Sequence, residues 1–245
     1  MIPKIIHYCW FGGKPLSNEA KRCISSWKIN CPEYKVIKWD ESNFNISMNV
    51  YVEEAYKKKK WAFVSDYVRL VVLKKYGGIY LDTDVEMIKP LDKLLLSKAF
   101  MGAESKYSIC TAVIGAEKNS EFINELLTIY DELHFINNQK LDMTPNSQRI
   151  YEYLKQNYNY VLSNDVIDLK KCIIYPKDFF SPINCYTFIE EETQNTYCIH
   201  RFAGTWKSKN ELLINKAKAF ITRFVGEDFR KKVKTTMERR GKKNI

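Results

Sequence analysis

The sequence has few of the features that mark membrane-spanning, secreted or metal-finger proteins. No stretch approaches the ~18 consecutive apolar residues of a transmembrane helix. Residues 1–7 lack a basic leader followed by an apolar signal stretch. The seven cysteines are odd in number and include no Cys-x-x-Cys pair. We therefore expect reduced, mostly buried thiols and a cytoplasmic protein, soluble or peripheral on the inner face of a membrane.

Internal repeats and low-complexity linkers are also missing, so the 245 residues are expected to form one domain or one domain with a modest subdomain. Apolar residues make up 45% of the chain and charged residues 28%, an ordinary balance for a protein that buries a core. The net charge of +10 indicates an anionic partner: nucleic acid, an anionic membrane or a phosphorylated substrate. Charge alone does not choose between them.

Hydrophobic periodicity predicts alternating strands and helices. Residues 4–11 are a nearly continuous apolar run that ends at Gly12-Gly13, which is typical of a buried strand entering a tight loop. A helix over 18–30 and an alternating strand over 34–39 complete a strand-helix-strand unit of a parallel α/β sheet. Further helices are predicted over 51–60, 61–76, 120–135 and after Pro145, and further strands over 79–81, 112–116, 173–175 and 196–202.

Two charged residues interrupt the most apolar of these helices. Asp66 and Arg69 lie three residues apart and therefore on one face of a helix whose other residues are largely apolar. Buried charges are costly unless they are paired or bound to a ligand. The pattern leaves two interpretations open, a structural ion pair and a substrate-binding pair. By contrast, His7 lies in the first apolar strand and is expected to be a hydrogen-bonded core residue.

An Asp-x-Asp motif follows the next predicted strand. Asp82 and Asp84 stand two residues apart, shortly after Gly77-Gly78. Two carboxylates so placed can coordinate a hard divalent cation that bridges the phosphates of a nucleotide diphosphate. Such a cation neutralises charge on the diphosphate as a sugar–oxygen bond breaks. The position is typical of a ligand site, because ligands of α/β sheets bind beyond the carboxyl ends of the strands.

Longer segments around these residues resemble a known family. Residues 61–70 (WAFVSDYVRL) and 76–84 (YGGIYLDTD) closely resemble the signature of family-32 glycosyltransferases, the DXD sugar-binding family. Residues 2–12 (IPKIIHYCWFG) look like the first strand and nucleotide loop of that family, which includes yeast mannosyltransferases and clostridial toxin glucosyltransferase domains. The resemblance is specific in the first half of the chain. It implies a GT-A α/β fold with a central mixed, mainly parallel sheet flanked by helices, and a retaining glycosyltransferase.

The resemblance also implies roles in binding a UDP-sugar donor. Trp10 would stack on the uracil, beside Gly12 of the nucleotide loop, and Tyr80 would pack near the ribose. Asp66 and Arg69 would hydrogen-bond hydroxyls of the donor sugar. These roles explain why two charges stand in an apolar helix.

The metal site is implied in the same way. Asp82 would contact the ribose or sugar and reach the metal, and Asp84 would ligate the metal directly. His200, in the run HRFAGTWK, resembles the histidine that completes the metal site of retaining GT-A enzymes, and imidazole suits Mn²⁺. The expected cation is Mn²⁺ or Mg²⁺. In the same run Trp206 would close over the sugar and Lys207 would contact the diphosphate.

The acceptor side matches the family less well. The family's Gly-Pro element has no clean copy, and the nearest stretch, TPNS, makes Asn146 and Gln148 the acceptor-side candidates. We expect a catalytic domain over 1–225, in which 1–116 bind nucleotide sugar and metal and 117–225 form the acceptor side and the closing strand that carries a metal ligand. The expected acceptor is a saccharide, as in bacterial surface polysaccharide synthesis, and a lipid-linked oligosaccharide in particular. No residue stands out as a covalent nucleophile, so a front-face transfer is favoured.

Three other interpretations account for parts of the sequence. The motif DTDV resembles the nucleophile motif of haloacid-dehalogenase-type phosphohydrolases, but a long α/β pattern precedes it and no acidic pair follows. Nucleic-acid binding is not expected, because the basic residues do not interleave with aromatic ones. They concentrate in a predicted helix over 226–245, which is either solvated or held by an anionic membrane surface, and the latter also suits a non-enzymatic surface-binding protein.

Overall fold

A mixed sheet flanked by helices organises the chain. The computed structural model describes residues 1–204, 214 and 219–222. The strands are β1 (Ile5–Cys9), β2 (Lys35–Trp39), β3 (Gly78–Leu81), β4 (Val85–Met87), β5 (Ala99–Ser105), β6 (Ser108–Ala116), β7 (Ile136–Asn137), β8 (Lys140–Leu141), β9 (Ile167–Asp168), β10 (Ile173–Tyr175) and β11 (Cys198–His200). The helices are α1 (Asn18–Asn30), α2 (Val50–Lys57), α3 (Trp61–Tyr76), α4 (Glu121–Thr128) and α5 (Asn146–Tyr158).

Seven strands form the central sheet in the order β2-β1-β3-β6-β5-β10-β9. The pairs β1–β2, β1–β3 and β5–β10 are parallel, and the pairs β3–β6, β5–β6 and β9–β10 are antiparallel. Two short ribbons, β4–β11 and β7–β8, lie outside this sheet. The predicted α/β class with a central mixed sheet is confirmed, and the predicted strand-helix-strand opening is the parallel unit β1-α1-β2.

Both faces of the sheet are buried. In β3, Ile79 and Leu81 belong to one apolar cluster, which also contains Trp27 of α1. Tyr80, between them, belongs to a second cluster built with Val68 of α3 and residues of α2, α4 and α5. Because successive side chains of a strand point to opposite faces, a strand covered on both sides reads as a continuous apolar run, as the sequence of β1 and β3 does.

Some elements differ from those predicted. Helix α4 ends at Thr128, although the apolar pattern continues to Phe135. Phe135 is fully buried, and the backbone N–H groups of Phe135 and Ile136 donate to Glu54 Oε2 at 2.8 and 3.0 Å. These hydrogen bonds to Glu54 hold Phe135 in the core beyond the end of the helix. Strands β4, β5, β7, β8 and β9 were not predicted.

The thiols agree with the sequence-based expectation. All seven cysteines fall within the described residues, and no disulfide joins any two of them. Six are buried, and Cys185 is partly exposed. Among the described residues, no helix combines the length and the apolar character that crossing a bilayer requires.

His7 is a core residue that stays neutral. Its side chain is fully buried, with Nε2 at 2.8 Å from Gly77 O and Nδ1 accepting from Trp39 Nε1 at 3.1 Å. The Trp39 donor assigns the ring proton to Nε2, so both ring nitrogens are satisfied in the neutral form. Burial lowers the pKa of His7 to about 4, against the opposing effect of the Gly77 carbonyl.

The neutral state of His7 predicts a pH-dependent stability. Between its ordinary pKa of 6.5 and the folded value of about 4, the unfolded chain binds a proton that the native chain does not. The free energy of unfolding therefore falls as pH decreases through this window, by about 3 kcal/mol for this group. Urea unfolding of the wild type and of His7→Gln between pH 4 and 7 measures the difference in slope.

The matched control is His134→Gln, which removes a histidine whose side chain is 53% exposed. This control retains His7 and should therefore keep the fall in stability between pH 6.5 and about 4 that burial of His7 causes. A His7→Gln protein whose stability still falls as steeply as that of the wild type contradicts the assignment.

Candidate active site

The strand β3 delivers Asp82 to the edge of the sheet where the parallel strands end. The backbone N–H of Asp82 bonds to Ala112 O at 2.9 Å, one step beyond the β3–β6 ladder. The N–H of Val85 bonds to Asp82 O at 3.0 Å and closes a turn through Asp84. The backbone that carries both carboxylates is thus fixed by hydrogen bonds on each side of the turn.

The ribbon β4–β11 brings His200 to this turn. In its register His200 lies opposite Val85, the residue that follows Asp84. The chain after β11 stays close, because Arg201 N–H donates to Asp84 O at 2.9 Å and Ala203 N–H donates to Asp84 Oδ2 at 3.0 Å. Antiparallel pairing therefore brings His200 to Asp82 and Asp84, although more than a hundred residues separate them in the sequence.

Helix α1 supports the other edge of β4. Trp27 Nε1 donates to Val85 O at 2.7 Å, and Asn30 Nδ2 donates to Met87 O at 2.9 Å. Met87 N–H in turn donates to Ser26 Oγ at 2.9 Å. These side chains satisfy backbone groups that would otherwise be unpaired at a strand edge, so the three-residue strand is held on both sides.

Three predicted metal ligands meet at one point. Asp82, Asp84 and His200 each offer a ligand atom, and these atoms lie within 4.8 Å of one another. Nε2 of His200 is 3.6 Å from Asp84 Oδ1. Carboxylate oxygens and an imidazole nitrogen form a donor set that suits Mn²⁺ and accepts Mg²⁺. The residues present therefore fit a divalent cation.

The charges of Asp84 and His200 stabilise each other. Burial disfavours the charged form of His200, but the combined effects of Asp84, Cys110 and Glu104 raise the pKa of the imidazole well above its ordinary value. For Asp84, burial acts against the carboxylate, but His200 and the backbone N–H of Ala203 together lower the pKa. A cation at this point would take the place of the imidazole proton beside Asp84.

The second predicted group surrounds Arg69. Its guanidinium is 3% exposed, with Nη2 at 2.8 Å from Asp66 Oδ1 and at 3.3 Å from Asp82 Oδ1, while Nη1 donates to Thr111 O at 2.6 Å. Its Cζ lies 4.6 Å from the ring centroid of Tyr80. Burial raises the pKa of Asp66 to about 6, more than the neighbouring Arg69 lowers it. The Asp66–Arg69 ion pair is present and lies against Asp82. The interpretation as a structural ion pair and the interpretation as a substrate-binding pair are therefore compatible.

Tyr80 lies behind Asp82. Its side chain is 1% exposed, and its hydroxyl donates to Asp82 Oδ1 at 2.8 Å. Since Arg69 also contacts both carboxylate oxygens of Asp82, the orientation of this carboxylate is fixed from two sides. The ribose contact predicted for Tyr80 would have to be made from this buried position.

The predicted nucleotide loop follows β1 and is held rigidly. Trp10 is partly exposed, and its Nε1 donates to Lys14 O at 2.6 Å. Gly12 has a φ of +91°, and a Cβ there would lie 2.7 Å from the indole of Trp61, so no larger residue fits without strain. Cys9, which precedes the loop, interacts electrostatically with Arg69 and Asp82. The loop therefore begins beside the Arg69–Asp82 group.

The remaining predicted residues are not all brought to the site. Asn146 is 1% exposed, accepts from Tyr130 at 3.0 Å and donates to Asp66 O at 3.5 Å, so it supports α3 from behind. Gln148 is exposed near the start of α5. Trp206, Lys207 and the predicted basic helix over 226–245 lie outside the described residues.

Glu104 is a site residue that the sequence analysis missed. With Cys110 and His200 it forms a second group whose ligand-type atoms lie within 4.8 Å of one another. The available signal was its place as the single charge at the end of the apolar run 99–103. That signal is weak, because the partner of Glu104 is nearly a hundred residues away in the sequence.

Comparison with known proteins gives a family for part of the chain. Residues 17–101 match the family described as the glycosyltransferase sugar-binding region containing a DXD motif. This segment includes α1, α3, the Asp66–Arg69 pair and the turn through Asp84. The match agrees with the resemblance carried by the sequence motifs.

Individual relatives are also glycosyltransferases by name. The chain is 31% identical over 138 residues to inositol phosphoceramide mannosyltransferase 3 of Schizosaccharomyces pombe, covering 51% of this chain and 36% of that protein. It is 28% identical to an uncharacterized glycosyltransferase of Acanthamoeba polyphaga mimivirus, over 84% of each chain. The solved PaToxG glycosyltransferase has a TM-score of 0.48 and 21% identity over 64% of this chain and 70% of its own. This chain therefore covers about a third of the length of the Schizosaccharomyces pombe mannosyltransferase.

Removal of Arg69 should destabilise the protein strongly. Arg69→Ala leaves the buried Asp66 without its cation, and we expect the free energy of unfolding to fall by about 3–5 kcal/mol. In the double variant Arg69→Ala/Asp66→Ala the loss should be smaller than the sum of the two single losses, because no unpaired buried carboxylate remains at position 66. Urea unfolding of the three variants measures this coupling.

Arg22→Ala is the matched control, since the side chain of Arg22 is 61% exposed. Its free energy of unfolding should stay within about 0.5 kcal/mol of the wild type. Strictly additive losses at positions 66 and 69 would show that the two charges do not depend on each other.

Proposed function

We propose that this chain, whose residues 17–101 belong to the glycosyltransferases with a DXD-containing sugar-binding region, transfers a sugar from a nucleotide diphosphate donor to a hydroxyl group with the help of a divalent cation. The observation that carries the proposal is the meeting of Asp82, Asp84 and His200 beside the buried Arg69–Asp66 pair. A cation-binding donor set and a pair suited to sugar hydroxyls lie within one side-chain network. Both are what transfer from a nucleotide sugar requires.

The position of each residue in the site suggests its role. Asp84 and His200, with Asp82 directly or through water, would hold Mn²⁺ or Mg²⁺, which when bound neutralises the diphosphate leaving group. Asp66 and Arg69 would bind hydroxyls of the donor sugar. Because these groups are fixed by backbone and side-chain hydrogen bonds before the donor arrives, little reorganisation is needed on binding.

The donor that we propose is a UDP-sugar carrying a hexose or an N-acetylhexosamine. Trp10, partly exposed after β1, would stack on the base, and the loop at Gly12 would lie against the nucleotide. The yeast relative is named a mannosyltransferase that acts on inositol phosphoceramide, so GDP belongs in the test beside UDP. We propose a saccharide acceptor, lipid-linked in particular, and retention of the anomeric configuration.

The phosphohydrolase alternative draws no support from the geometry of Asp82. In that reaction an aspartate carboxylate must be free to attack phosphorus. Here Tyr80 donates to Asp82 Oδ1 at 2.8 Å, and Arg69 lies 3.3 and 3.4 Å from the two oxygens. A carboxylate held in this way is suited to orient a ligand rather than to act as a nucleophile.

A thermal-shift experiment tests the donor and the cation together. A nucleotide that binds the native state raises the melting temperature by mass action. We expect UDP to raise it in the presence of Mn²⁺ and to have little effect without Mn²⁺, with GDP and CMP as the competing bases. In Asp84→Asn the Mn²⁺-dependent shift should be lost. The melting temperature without ligand should also fall, because His200 loses the buried carboxylate that faces it, so each shift is measured against the ligand-free value of the same variant.

Asp92→Asn serves as the matched control, because Asp92 is a surface aspartate paired with Lys4. It should show the full Mn²⁺-dependent shift. If no nucleotide shifts the melting temperature of the wild type, or if Asp84→Asn responds as fully as Asp92→Asn, the proposed site is wrong.

Trp10 should act on donor affinity. If its indole stacks equally on the base in the ground state and the transition state, Trp10→Ala raises KM for the donor and leaves kcat nearly unchanged. Loss of one stacking contact is worth about 1–3 kcal/mol, which corresponds to a roughly 5- to 150-fold rise in KM. Steady-state kinetics with donor hydrolysis as the readout measure both constants. A fall in kcat at constant KM would place Trp10 elsewhere.

A further inference from the structure

The imidazole of His200 faces a carboxylate on each side. Its Nε2 lies 3.6 Å from Asp84 Oδ1, and its Nδ1 lies 3.4 Å from Glu104 Oε1. Nδ1 is buried and makes no hydrogen bond to any of the described residues. The ring of Phe202 packs on the imidazole with centroids 4.0 Å apart. The ring therefore has one nitrogen directed to the proposed cation and one that still requires a partner.

Glu104 is placed rigidly enough to be that partner. It lies near the end of β5, and its side chain is 11% exposed. Its second oxygen, Oε2, accepts from Ser108 Oγ at 3.2 Å, and Ser108 Oγ lies 2.6 Å from Ser105 Oγ across the β5–β6 hairpin. Serine hydroxyls of the hairpin thus orient one carboxylate oxygen, which leaves the other directed at His200.

We propose that Glu104 is a positioning residue for His200, accepting a hydrogen bond from Nδ1–H and so directing Nε2 to the cation held with Asp84. This inference rests on the proposed function of His200 as a metal ligand. A carboxylate on the second nitrogen of a ligating histidine fixes the tautomer and the ring orientation and makes the ligating nitrogen more basic. An approach of about 0.5 Å turns the present contact into an ordinary hydrogen bond.

Alternatives to Glu104 are few around this nitrogen. The sulfur of Cys110 lies near the same ring, but a thiol is a weak acceptor and does not hold a ring orientation as a carboxylate does. Asp84 faces the opposite nitrogen. Glu104 is therefore the strong acceptor that the described residues place at Nδ1.

Mn²⁺ binding to the protein without nucleotide, measured by electron paramagnetic resonance of free Mn²⁺, tests the proposal. We expect Glu104→Ala to weaken Mn²⁺ affinity by about 10- to 100-fold. Glu104→Gln should recover a large part of this loss, because its amide oxygen can still accept from Nδ1–H although the charge is gone. In a His200→Ala background, Glu104→Ala should cause no further loss.

The control variant is Glu125→Ala, which removes a partly buried glutamate whose partners are Lys171 and Tyr158. Its Mn²⁺ affinity should equal that of the wild type, and circular dichroism should show that every variant is folded. The proposal is overturned if Glu104→Ala binds Mn²⁺ normally, or if Glu104→Ala weakens binding equally with and without His200, which would indicate a through-space charge effect. Normal Mn²⁺ binding by His200→Ala and Asp84→Asn would instead overturn the metal assignment itself.

Discussion

The buried guanidinium of Arg69 is the contact on which the rest of the site depends. It joins α3, through Asp66, to the end of β3, through Asp82, and to the backbone of β6, through Thr111 O. A single cation in a low-dielectric interior thus holds two carboxylates that would otherwise repel each other. The helix, the strand end and the neighbouring strand are tied by one side chain, so the position of Asp82 is set by the core.

Elements with local signals could be predicted to the residue. Helix α1 begins after Ser17, whose Oγ accepts from Ala20 N–H, and α3 ends at Gly77, which has a φ of +65°. The short strand β4 carries no such signal, because its two edges are held by β11 and by side chains of α1. Strand β5 was missed since Gly102 weakens its strand pattern, and the reason for that glycine is the distant ring of Phe180, 2.6 Å from where a Cβ would lie.

The candidate site divides in the same way. Asp66 and Arg69 are paired by helical spacing, and Asp82 and Asp84 lie in the turn directly after β3. The sequence alone therefore indicated both pairs, and the family resemblance added His200. The place of Glu104 depends on the β5–β6 hairpin and on the register of β11, which no local pattern encodes. The family predicted from the motifs is confirmed over residues 17–101, whereas the donor, the acceptor and the individual roles stay proposals.

The ribbon β4–β11 has a consequence for the order of events during protein synthesis. Asp82 and Asp84 emerge from the ribosome long before His200, and the strand that carries His200 can pair with β4 only after the intervening chain has been made. Long-range pairing of this kind forms late, because a large loop must close before the contact stabilises anything. A growing chain therefore carries its two aspartates without the histidine. The meeting of His200 with the two aspartates therefore marks a chain in which β11 has already paired with β4.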